Sequence, residues 1–124
     1  MTRKNLFTKL NQLCLELDQK FNINEGGCCY VAACIIEQLE LKKIPYTVIC
    51  YALGNHYAVR VSDRIINRSD FNCHEISYDT YISSKELFFT YYNEDWNICY
   101  NRSNNSSVKT RIKSLFKEYE NRRT

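Results

Sequence analysis

The sequence predicts an α+β domain. Three observations lead there: an amphipathic helical stripe at the N-terminus, a second helix apolar nearly all round, and then β-rich runs divided by turn residues. The stripe is Leu6, Leu10, Leu13, Leu17 and Phe21, at steps of four, three, four and four. Such steps keep every member on one helical face, so residues 3–21 read as a helix. Residues 22–27 (NINEGG) read as a loop, whose paired glycines permit a tight backbone.

Residues 28–41 form the second helix. Val31, Ala32, Cys34, Ile35, Ile36 and Leu39 leave little of its early surface polar, the pattern of a buried helix. Pro45 forbids its continuation. Residues 46–53 (YTVICYAL) are β-branched and aromatic and read as a central strand. Gly54 and Asn55 turn the chain, and residues 56–61 (HYAVRV) read as a second strand. Ser62, Asp63 and Arg64 form a hairpin turn, after which Ile65, Ile66 and Asn67 begin a third strand.

Farther on the signals thin out. Residues 75–82 read as strand or irregular chain. Ser84 caps a short helix carrying Leu87, Phe88 and Tyr91, and residues 101–107 (NRSNNSS) read as a polar loop. Ser107 then caps a last helix, about residues 107–121, with Val108, Ile112, Leu115, Phe116 and Tyr119 on one face. The whole chain, 1–124, reads as a single domain.

Composition narrows the function classes. Apolar residues are 44% and charged residues 25%, and Gly (3) and Pro (1) are scarce, which excludes collagen-like and linker-like chains. A net charge of +3 is too mild to demand nucleic acid, and no zinc finger, RNA-recognition signature or phosphate loop is present. The charge is uneven, though. After Val108 come Lys109, Arg111, Lys113, Lys117, Arg122 and Arg123 against Glu118 and Glu120. That segment reads as a solvated helix face or as a docking surface for an acidic protein partner. No apolar run reaches the ~20 residues of a membrane span, and the N-terminus lacks the apolar core of a signal peptide. Seven cysteines, an odd number, then suggest reduced thiols and a cytoplasmic setting. Abundant Asn, Lys, Ile and Tyr fit an AT-rich genome, such as that of many bacteriophages.

One constellation carries chemistry. Cys28 follows Gly26 and Gly27 at the start of a helix. There the helix dipole and unpaired N–H groups stabilise a thiolate, and the same groups can hold an oxyanion. Taken alone, Cys28 is better explained as a small buried residue of a core helix. His56 adds a second group, because a strand start holds an imidazole rigidly enough to serve as general base and acid. A third group must orient that ring. With the hairpin centred on Asp63, His56 lies across from Asp70, and a bulge would bring Asn67 there instead. Asp63 itself sits in the turn.

Gly-Gly-Cys at a helix start, Cys-x-x-Val-Ala, His-x-Ala-Val-x-Val and a following Asn or Asp resemble the papain-like superfamily, which includes transglutaminase-like proteins. The resemblance covers about residues 20–72. It implies N-terminal helices packed on a small antiparallel sheet, with C-terminal helices. It also implies a cysteine hydrolase (peptidase or amidase) or acyltransferase needing no cofactor, acting on a peptide or other amide or acyl substrate. Cys28 then resembles the nucleophile, His56 the base, and Asp70 or Asn67 the orienting residue. Asn22 or Asn24 would match the family's oxyanion donor. Because the cysteine is doubled, Cys29 stands as an alternative nucleophile, with Tyr30 as the aromatic that usually follows it. Two other readings compete. One is a papain-like module that binds or builds without turnover, for example in a phage particle. The other is a zinc site of Cys28, Cys29, Cys73 and His74, which lacks the usual CxxC spacing.

Overall fold

A computed structural model describes residues 1–24, 28–51, 56–68, 75–77 and 102–121. Helix α1 spans Arg3–Phe21, α2 Cys28–Leu41 and α3 Arg102–Asn121; the strands are β1 Thr47–Tyr51, β2 His56–Val61, β3 Arg64–Ile66 and β4 Glu75–Ser77. The fold class is α+β. The sheet runs β3-β2-β1-β4, and each neighbouring pair is antiparallel.

Helix α1 forms where its periodicity predicts, and Leu6, Leu10, Leu13 and Leu17 are all buried. Thr2 caps its start by accepting the Asn5 N–H at 3.1 Å. Asn22 ends it in a left-handed conformation, φ 54. Helix α2 stops in a Schellman motif: the Lys43 N–H reaches the Glu40 carbonyl and the Ile44 N–H the Leu39 carbonyl. The left-handed position of that motif is Lys43, at φ 56, where glycine is the usual occupant.

The main core joins the three helices to one face of the sheet. Leu10, Leu17, Ile35, Ile36, Leu39, Val59, Ile66, Ile112 and Phe116 have almost no exposure. Each such side chain contributes roughly 1.5–3 kcal/mol by leaving water. Helix α2 packs on β2, while α1 packs on β3 and α3. A smaller cluster of Ile49 and Ala58, which are paired across β1 and β2, has Ile65 against it.

Three expectations change. First, α3 begins at Arg102, so the Asn- and Ser-rich run is helical and Ser107 is an interior residue rather than a cap. Asn and Ser lose only a few tenths of a kcal/mol to better helix formers, so a helix anchored by Val108, Ile112 and Phe116 extends through them. Second, β1 starts at Thr47 rather than Tyr46, whose hydroxyl instead donates to Glu40 Oε1 at 2.5 Å. Third, the hairpin loop is only Ser62 and Asp63, with Val61 paired to Arg64 and Ser62 at φ 58. That register is one residue off the one that set His56 across from Asp70, and the ladder ends at Ile66. The remainder of 78–82, the short helix after Ser84, and Asp70 lie outside the described residues.

Replacing Lys43 with glycine removes a side chain from a left-handed position. We expect a gain of about 0.5–1 kcal/mol, read as a higher urea midpoint at constant slope. A lower midpoint would contradict the strain assigned to this residue.

Candidate active site

Strand direction brings the site together. Cys28 is the first residue of α2 and His56 the first of β2, and these two elements pack on each other. Because β3 runs antiparallel to β2, its far end returns the chain to where β2 begins. Asn67 follows there, at φ 63. Cys28 is 5% exposed, His56 2% and Asn67 8%.

His56 has two partners. Its Nε2 lies 2.6 Å from the Asn67 backbone carbonyl. A carbonyl oxygen only accepts, so Nε2 carries the proton in that bond. The other group that acts on the ring is the Cys28 side chain, which favours the protonated imidazole. With Nε2 engaged, Nδ1 is the nitrogen left to exchange a proton with that sulfur. Burial pulls the His56 pKa down, since it disfavours a charged ring. The Cys28 side chain, the bond to the Asn67 carbonyl and the negative charge of Asp18 outweigh it. The net direction is up from the ordinary histidine value.

The Asn67 side chain turns away from the ring. Its Nδ2 donates to Asn24 Oδ1 at 3.1 Å and its Oδ1 accepts from Asn24 Nδ2 at 3.4 Å. The structure therefore brings Cys28, His56 and Asn67 together, with Asn67 meeting the ring through its main chain. Asn24, weighed as an oxyanion donor, spends its amide on Asn67, and Asn22 is exposed at the end of α1. The Cys29 side chain and residues Asp70, Cys73 and His74 lie outside what the structure describes. Among the described residues, no group of three His, Cys, Asp or Glu side chains could hold a metal ion.

Two residues of this end carry weaker sequence signals. Asp18 accepts the Asn24 N–H at 3.0 Å and its charge acts on both His56 and Cys14. A carboxylate in the last turn of a helix opposes the macrodipole, and that misfit is the signal that could have found it. Asn11 reaches across from α1 to the end of β3, with its amide 3.3 Å from the Ile65 carbonyl. By contrast Cys14 is an inert thiol: burial first, then Asp18, pushes it up to about 12.

Away from the site, α3 is tied down by charge. Arg111 pairs with Glu16 at 2.6 Å, Lys9 with Glu118 at 3.1 Å and Lys42 with Glu120 at 2.5 Å. Exposed pairs of this kind are screened by solvent and add little stability. No helix among the described residues is long and apolar enough to cross a membrane. No family model matches the chain, and no curated protein or solved structure matches it either.

The raised His56 pKa has a stability consequence. The folded chain holds this proton to higher pH than the unfolded chain does, so the stabilisation is complete below ~6.5. It is lost as pH rises through the folded value. Urea midpoints taken across that window will fall with pH, and His56→Gln will flatten the fall. An unaltered slope in the variant would remove His56 as its source.

Proposed function

We propose that this chain is a cysteine-nucleophile hydrolase or acyltransferase, built on a papain-like scaffold and acting on amide or related acyl carbons. The observation behind this reading is the buried ring of His56, held at Nε2 by the Asn67 carbonyl and acted on by Cys28 at the start of the helix packed against its strand. A nucleophile, a base and a group that orients the base are the parts the chemistry needs.

The Cys28 thiol passes its proton to His56 Nδ1 and the sulfur attacks the acyl carbon. A C–S bond forms as the carbonyl oxygen takes up negative charge. The first N–H groups of α2 have no helical partners and stand where that oxyanion can be met. The C–N bond then breaks, and the leaving nitrogen takes the proton back from His56. Water or a second acceptor attacks the thioester, again losing a proton to His56, and Cys28 is released. Throughout, the Asn67 carbonyl keeps Nε2 protonated and Nδ1 facing the sulfur. A reducing cytoplasm suits a catalytic thiolate. Lys113 and Lys117, both exposed on α3, would face an acidic partner.

A second reading draws on the burial of both side chains. In it the pair is a core contact of a papain-like module that binds without turnover.

Brief iodoacetamide labelling at neutral pH, mapped by mass spectrometry, separates the two. For the enzyme, Cys28 is modified first among the seven cysteines, and His56→Ala slows it by about tenfold or more. Cys28→Ala then abolishes turnover of an activated ester such as p-nitrophenyl acetate and leaves the circular dichroism spectrum intact. Uniformly slow labelling that ignores His56 sinks the enzyme and leaves the module. Fast labelling at Cys29 moves the nucleophile by one residue.

A further inference from the structure

A non-glycine residue stays in the left-handed region only when its surroundings hold it there, although Asn tolerates it better than most. Asn67, at φ 63, is held at three points. Its N–H donates to Asn11 Oδ1 at 2.8 Å, and its side-chain amide makes the two bonds to Asn24. The anchors are themselves anchored. Asn11 Nδ2 donates to the Ile65 carbonyl at 3.3 Å, so one side chain from α1 grips two backbone groups at the end of β3. Asn24 is tied through its own N–H to Asp18. With its N–H and its side chain both fastened, Asn67 has little freedom left, and its carbonyl stays aimed at His56 Nε2.

We infer that Asn11 is a positioning residue for the His56 ring. Held in the middle of α1, far in sequence from Cys28 and His56, it fixes the Asn67 main chain and so fixes which ring nitrogen is free to face Cys28. The inference rests on the cysteine–histidine reading given above. It assigns an orienting role to a backbone carbonyl supported by two asparagine side chains.

Proton and nitrogen NMR of the full chain tests it. The chain has only two histidines, so the His56 signals are assigned by their loss in His56→Gln. The parent protein is expected to show a slowly exchanging, downfield Nε2–H proton and a raised His56 pKa. In Asn11→Ala that proton is lost to exchange, the pKa moves down, and Cys28 alkylation slows severalfold. Should Asn11→Ala fail to fold, Asn24→Ala releases the same residue from its other side and carries the same expectation. A folded variant with the downfield proton and the His56 titration both unchanged overturns the inference. Failure of the underlying reading looks different: His56→Ala would leave Cys28 alkylation unaltered while Asn11→Ala still moved the His56 signals.

Discussion

A buried imidazole must satisfy two nitrogens at once, and this requirement organises one end of the molecule. An unpartnered polar group away from water costs several times what a satisfied one gains. His56 meets the requirement with the Asn67 carbonyl and the Cys28 sulfur. The ring and its two partners come from α2, β2 and the end of β3, and only one arrangement brings them together. Helix α2 and strand β2 must begin at the same end, and β3 must finish there. The two-residue loop of Ser62 and Asp63 makes that return short enough for Asn67 to arrive beside the ring.

Stability and site occupy different parts of the fold. The helices and one face of the sheet supply the apolar core, in which Leu10, Leu17, Ile36 and Phe116 are sealed from solvent. The site end is polar, and its described amides are paired with one another or with backbone. Such a network behaves as a unit, because releasing one member leaves another buried and unpaired.

Much of this was legible from residue types. The stripe in α1 and the Gly-Gly and Pro45 brackets around α2 give both helices their observed bounds. The turn residues on either side of 56–61 do the same for β2. Where the reading failed, the decisive quantity was not a side-chain property. The hairpin slipped by one residue because Ser62 takes a positive φ that residue preference assigns to glycine. Helix α3 started early because packing of Val108 and Ile112 outweighs the weak preference of Asn and Ser. One partner of the ring is a main-chain carbonyl, which every residue carries, so no side chain could announce it. Asn11 is one polar residue among several beside the apolar stripe of α1, and only its distance to two backbone groups distinguishes it.

Burial also bears on why such a pair exists. Replacing a buried charged pair with apolar side chains of similar size is often neutral or stabilising. A module that needed only a packed core would gain by putting leucine or valine at positions 28 and 56. This chain has the opposite arrangement: a histidine whose proton is favoured against its own desolvation, a cysteine that adds to that preference, an asparagine in a left-handed conformation, and two more asparagines and Asp18 holding the surroundings. In the proposed reading, all of these serve the placement of one proton between the ring and the sulfur. Proton placement has no value for packing, but it is what a cysteine nucleophile requires. That asymmetry is the physical reason for preferring acyl chemistry over a purely structural role for Cys28 and His56.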